Sequence, residues 1–177
     1  ELITKSQEMY PKIWPGIKWS ERKMQWTAPS GAKLWLSYLD KDQDVTRYQG
    51  LAFSWIGFDE LTQWGTPFAW NYMRSRLRTA DPELPLSMRA TTNPGGRGHG
   101  WVKKMFIDPA PAGKSFIATE IETGEQLKYP AGHAKAGKPL FKRRFIPARL
   151  KDNPYLAQQG DYEAMLLSLP EQQRRQL

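Results

Sequence analysis

The sequence predicts an α/β fold, a mostly parallel sheet with flanking helices, together with a small β-hairpin and a helical C-terminal extension. Three observations carry that prediction. The run Leu51-Ala52-Phe53-Ser54-Trp55-Ile56-Gly57-Phe58 is mostly apolar, as a strand buried on both faces must be. A helical pattern follows it, and a second short strand follows the helix, the order that builds a parallel sheet. Hydrophobic residues make up 40% of the 177 and charged residues 25%, ordinary usage for a chain that packs a core.

Each element has its own signal. Residues 1–9 read as the end of a helix, stopped by Tyr10-Pro11 because proline removes a backbone donor and restricts the residue before it. A tryptophan-rich, proline-broken stretch runs from Trp14 to Trp26. Residues 23–27 and 32–39 flank Pro29-Ser30-Gly31, a hairpin signal. In the second of those runs Leu34, Leu36 and Tyr38 alternate with Trp35, Ser37 and Leu39, so both faces look apolar. Asp40-Lys41-Asp42-Gln43-Asp44 is spaced like the opening of a calcium loop. Val45 stands where such a loop needs glycine and Leu51 where it needs glutamate, which favours a solvated loop.

The apolar run 51–58 ends on Asp59-Glu60. Thr66-Pro67 reads as a helix cap followed by proline at the first helical position, and Ala69, Met73 and Leu77 then share one helix face. Residues 87–92 form the next strand, closed by Asn93-Pro94-Gly95-Gly96. Residues 101–107 suit a short helix. Residues 116–121 and 126–129 suggest a second hairpin turning at Thr123-Gly124. A mobile basic loop is expected at 132–139, a strand at 144–150, a helix at 161–167 and another from Pro170 onward. Two regions result: 1–150 carrying the sheet, and 151–177 as linker helices.

Composition excludes several function classes. With no cysteine there is no disulfide framework, thiolate metal site or cysteine nucleophile. No apolar run approaches the ~20 residues of a membrane span, and residues 1–6 lack the basic-then-apolar order of a signal peptide. Lys and Arg number 26 against 18 Asp and Glu, a net charge of +8 and a pI near 9.7. That balance suggests an anionic partner, most often nucleic acid, at even odds with a solvated basic face. Lys135, Lys138, Lys142, Arg143, Arg144, Arg149 and Lys151 crowd the last third, with Lys142, Arg143 and Arg144 the best candidates for nucleic-acid contact.

The strongest chemical constellation is Asp59-Glu60 at one strand tip and Thr91-Thr92-Asn93 at another. Nucleotide hydrolysis needs a carboxylate on the magnesium side and a second to orient and deprotonate water. Hydroxyl and amide groups on the neighbouring tip are suited to sense a terminal phosphate. The bland reading is a pair of acids starting a helix, where the dipole favours them. By themselves Asp59 and Glu60 favour that bland reading; the polar second tip reverses the preference.

Arg47-Tyr48-Gln49-Gly50-Leu51 leading into Trp55-Ile56-Gly57-Phe58-Asp59-Glu60 resembles the Walker B region of bacteriophage large terminase subunits. Thr91-Thr92-Asn93-Pro94-Gly95-Gly96 resembles that family's coupling motif. Residues 144–155, from Arg144-Phe145-Ile146-Pro147 to Asp152-Asn153-Pro154-Tyr155, are similar to the segment closing its ATPase region. The resemblance implies a partial P-loop NTPase of the additional-strand (ASCE) type, part of the motor that packages viral DNA. It implies ATP and Mg²⁺ as cofactors, Asp59 as the water-mediated Mg²⁺ carboxylate, Glu60 as catalytic base, and Thr91, Thr92 and Asn93 as residues coupling hydrolysis to movement. It also implies double-stranded DNA, a portal protein and a small terminase subunit as partners, a possible homo-oligomeric ring, no membrane, and the cytoplasm of a bacterial host.

Two family features are not found. No G-x-x-x-x-G-K-[ST] loop precedes Asp59-Glu60, and the nuclease carboxylates of the family's RNase H-like domain would lie beyond Leu177. The nearest imitation, Asp108-Pro109-Ala110-Pro111-Ala112-Gly113-Lys114-Ser115, starts with Asp and loses amide donors to two prolines, so it reads as a turn. The chain therefore reads as an internal piece of a terminase, without appreciable ATPase activity by itself. Two alternatives stand beside it: a fragment of another P-loop motor such as a helicase, and a non-catalytic basic nucleic-acid-binding module.

Smaller candidates have bland readings. His99 and His133 lack ligand-spaced partners and suit local hydrogen bonding. Gly95-Gly96-Arg97-Gly98-His99-Gly100 reads as a flexible loop rather than a dinucleotide fingerprint. Arg74, Arg76 and Arg78 suit a solvated helix face better than an arginine finger. Gly57 in a strand suggests close approach of another backbone.

Overall fold

The computed structural model describes residues 2–149, 152–157 and 160–171. The fold is mixed α and β, built on small sheets, and the chain divides between Asp44 and Val45 into two compact units. A 3-10 turn, Asp42–Tyr48, carries the chain across that division.

The first unit joins helix α1 (Leu2–Ile13) to an antiparallel meander of β1 (Lys18–Ser20), β2 (Gln25–Thr27) and β3 (Lys33–Trp35). The expected hairpin is there, with Trp26 opposite both Trp19 and Leu34. Three details differ. First, α1 runs through Pro11, and Trp14 N–H still donates to the Tyr10 carbonyl at 2.8 Å. The lost proline donor is offset by Tyr10, which packs edge-on against Trp14 and Trp26, and by the Trp26 indole N–H donating to Ser6 Oγ. Second, the strand after the turn is three residues long and its Trp35 is exposed, so it is not apolar on two buried faces. Third, the 40–44 loop closes on itself: Asp44 accepts from the N–H groups of Asp40 and Lys41.

In the second unit, β4 (Trp55–Phe58) and β5 (Ser87–Ala90) pair in parallel, Trp55 opposite Ser87 and Phe58 opposite Ala90. Parallel pairing is confined to these two strands among those described; β6 (Ser115–Ile117) and β7 (Lys142–Arg144) are antiparallel. Helix α2 (Phe68–Arg74) makes the crossover between β4 and β5 and buries Ala69, Trp70 and Met73. It ends at Arg74, so Leu77 lies beyond it, where it bridges to Phe53, and Arg76 and Arg78 do not share its face. Arg78 donates to the carbonyls of Gly50 and Leu51.

The run 51–58 is not buried throughout. Ile56 is buried and Phe58 packs on the core, whereas Trp55 and Gly57 face outward. What stands nearest a Cβ at Gly57 is a side chain rather than another backbone, the Trp55 indole at 2.3 Å. The core gathers Leu61, Trp70, Trp101, Val102 and Met105, with Phe58, Met88 and Phe106 packed against it. Full burial of side chains of this size contributes about 1.5–3 kcal/mol each.

The helix expected at 101–107 is α3 (His99–Val102) continued by a π turn, Lys103–Ile107. The Thr123-Gly124 turn forms, tied by Glu120 Oε2 accepting from the N–H groups of Glu122 and Thr123, and its arms meet in a short ladder, with Glu120 N–H donating to the Glu125 carbonyl, Thr119 bridging to Gln126 and Leu127 N–H donating to the Ala118 carbonyl. The extended pairing of β6 goes instead to β7. The strand expected at 144–150 therefore ends where it was expected to start: Arg144 closes β7, and residues 145–149 are irregular. Lys114 lies in a turn followed by β6, not by a helix. Helices α4 (Pro154–Ala157) and α5 (Gly160–Ser168) make up the extension, while residues 172–177 of the helix expected from Pro170 lie outside the described residues. Among the described residues no helix is long and apolar enough to cross a membrane.

Candidate functional site

Parallel strands bring their C-terminal tips to one rim of a sheet. The tip of β4 carries Asp59 and Glu60, and the tip of β5 carries Thr91, Thr92 and Asn93, all five exposed. The ladder continues past both strands. Thr91 N–H donates to the Phe58 carbonyl at 3.0 Å, and the Thr91 carbonyl accepts from Leu61 N–H at 3.0 Å. In an unbroken parallel ladder that second bond would come from Glu60. One extra residue has been taken up, as in a bulge, and Glu60 absorbs it with φ 52° and ψ 51°. A side chain in this left-handed conformation costs about 1–2 kcal/mol, so the strain sits on one of the two acids.

The other acid is held. Thr91 Oγ1 donates to Asp59 Oδ1, across the two tips. Thr92 turns the opposite way. Its hydroxyl accepts from Thr62 N–H at 3.1 Å and lies 2.7 Å from the Thr62 hydroxyl. The Thr62 hydroxyl also donates to the Asn93 carbonyl at 3.2 Å. Thr62 is 4% exposed, in the 3-10 turn Leu61–Gln63 that follows the acids. Of the three polar tip residues, Thr91 faces the acids, Thr92 anchors the turn, and Asn93 takes part through its carbonyl.

The glycine loop is seated rather than loose. Gly98 N–H donates to the Thr62 carbonyl at 2.8 Å, and Gly95 N–H donates to His99 Nδ1 at 3.0 Å. A Cβ at Gly98 would stand 2.1 Å from the Trp64 carbonyl oxygen, and one at Gly96, where φ is 75°, would stand 2.7 Å from the Thr62 oxygen. Both glycines are therefore required by contact. Trp101 Nε1 donates to the same Trp64 carbonyl at 2.7 Å, tying the loop to the core. Thr62, Gly96 and Gly98 are not legible as site residues by type alone; a threonine two residues after the acids and a glycine-rich run shortly after the second tip are the signals that point to them.

His99 and His133 make local hydrogen bonds, His133 accepting from Lys135 N–H and stacking on Tyr129. In the basic segment, Lys142 and Arg144 are exposed but Arg143 is buried, its Nη1 donating to the Thr119 carbonyl at 2.9 Å. Alternation along β7 accounts for this: one side chain in three turns inward. Among the described residues no cluster of three or more His, Cys, Asp or Glu could cage a metal. Asp59 with the Thr91 hydroxyl is a smaller oxygen set, of the kind Mg²⁺ uses when phosphates and waters complete its shell. Comparison with protein-family models, curated proteins and solved structures finds no match.

Proposed function

We propose that the rim formed by Asp59, Glu60 and Thr91 is the hydrolytic half of an ATP site in a partial P-loop NTPase fold, within a viral DNA-packaging motor of the large terminase type. The observation that supports it is the parallel register of β4 and β5, which sets the acids and the threonines on one rim, with Thr91 bonded to Asp59. Mg·ATP, when bound, supplies the phosphoryl group and its charge neutralisation. Asp59, oriented by Thr91, presents its second oxygen toward the metal side. Glu60, projected from the sheet by its bulge, orients the attacking water and accepts its proton.

Coupling in this reading runs through hydrogen bonds. Thr91 joins the acids to β5, Thr92 and the Asn93 carbonyl join β5 to Thr62, and the Thr62 carbonyl joins the turn to Gly98. A change at the tips is thereby transmitted to the 95–98 loop. The partners of this reading are double-stranded DNA, a portal protein, a small terminase subunit and further copies in a ring, in the cytoplasm of a bacterial host. The test is phosphate release by a longer chain that supplies the phosphate-cradling loop, with Glu60→Gln expected to abolish turnover.

A second reading, a basic nucleic-acid-binding module without catalysis, is favoured by exposed Lys142 and Arg144 on β7. Alanine at both positions then reduces DNA affinity and the salt slope together, while Asp59→Ala and Glu60→Ala in the longer chain spare ATP turnover.

A further inference from the structure

Two arginines meet at the Phe141 ring. Arg74 is the last residue of α2 and Arg143 the middle residue of β7. Both guanidinium groups lie against the Phe141 ring, 4.5 Å and 5.3 Å from its centroid, and Arg143 also stands 5.6 Å from the Phe106 ring. Arg143 is 8% exposed and makes one side-chain hydrogen bond, to Thr119. Arg74 is half-buried, and its Nη1 is buried with no hydrogen-bond partner. Among the described residues, no carboxylate pairs with either guanidinium.

Two like charges packed against one ring, with the buried Nη1 of Arg74 unpartnered, form an incomplete arrangement. Aromatic faces return only part of what a guanidinium loses in leaving water. Each fork presents planar N–H donors matched to oxyanions, and a tetrahedral phosphate offers more oxygens to two forks than a carboxylate does. We propose that Arg74 and Arg143, stacked about Phe141, form a binding site for a phosphate group. Arg74 supplies the open side, and Arg143 the fixed base. Burial, and then the Arg74 charge, push the Arg143 guanidinium down to about 10, so Arg143 stays cationic at neutral pH. The net charge of +8 adds a general attraction for anions. The phosphate is either a free ion or part of a polynucleotide backbone.

Thermal unfolding of the 177-residue chain in sodium phosphate and in sodium chloride of equal ionic strength tests the site. Phosphate at about a hundredfold excess over its Kd is expected to raise Tm by about 5–10 °C. Arg74→Met, at the half-buried position, is expected to lose that increment; a general salting effect would survive the substitution. Arg74→Lys keeps the charge but not the fork and is expected to weaken phosphate binding at least tenfold, which reads the site if the methionine variant does not fold. A short DNA duplex that displaces bound phosphate, with a salt slope lower by about one in Arg74→Met, assigns the phosphate to a polynucleotide; a duplex that leaves it in place assigns it to the free ion. Equal Tm values in the two salts, or an Arg74→Met chain that keeps the whole increment, would overturn the site.

Discussion

The hydroxyls of Thr62 and Thr92 lie 2.7 Å apart across thirty residues of sequence, one on the turn after β4 and the other at the tip of β5. Thr62 is buried, and its N–H depends on that partner, while its hydroxyl also reaches the Asn93 carbonyl. Thr92→Val keeps the shape and removes the acceptor, leaving the buried Thr62 N–H unmatched at a cost of about 1–3 kcal/mol. Chemical denaturation should show that loss with an unchanged m-value, and Thr92→Ser should restore most of it.

The glycine loop offers a paired comparison. Gly98→Ala puts a methyl group into the Trp64 carbonyl and the Trp101 indole, so the loop must shift. A loss of at least about 2 kcal/mol is expected, as for overpacked sites. Gly100, in the same short helix, has nothing within 4 Å of its Cβ position. Gly100→Ala should be neutral or stabilising by up to about 1 kcal/mol. Unfolding midpoints of the two variants check both expectations.

Glu60 carries backbone strain at the rim. Glu60→Gly should therefore raise stability by up to about 1 kcal/mol while removing the carboxylate. Glu60→Gln keeps the strain and should leave the unfolding midpoint within about 0.5 kcal/mol of the parent. Functional sites that store strain show this opposition of stability and activity.

Arg143 sets a pH dependence. Its folded pKa of about 10 lies well below the ordinary arginine value, so the unfolded chain holds the proton more tightly. Stability is therefore penalised throughout the neutral range and rises as pH climbs from about 10 toward the ordinary arginine value. The difference in unfolding free energy between the parent and Arg143→Met should turn in favour of the parent over that interval, as measured by urea unfolding at successive pH values.

What could be read from the sequence was local. The acids after an apolar run, the threonines after the next strand and the Pro29-Ser30-Gly31 hairpin all follow from short-range signals, and each lies where expected. Long-range pairing was hidden. β6 carries a hairpin signal toward 126–129 but pairs with β7, because Phe116 and Arg143 sit opposite each other in a register that no local pattern announces. The basic run Lys142-Arg143-Arg144 reads as uniformly solvated until strand alternation turns Arg143 inward. Pro11 stops a helix by propensity alone, but the Tyr10, Trp14 and Trp26 rings favour its continuation. The glycines at 96 and 98 look like freedom in the sequence and are contact requirements in the fold.

Phosphate release under Mg·ATP, by a longer chain that includes a phosphate-cradling loop, tests the Asp59–Glu60 rim most directly. On the proposed reading, Glu60→Gln should reduce turnover by about 10²–10⁴-fold while ATP binding is retained. A Glu60→Gln chain that turns over ATP at the parent rate would remove Glu60 from the chemistry and contradict the account.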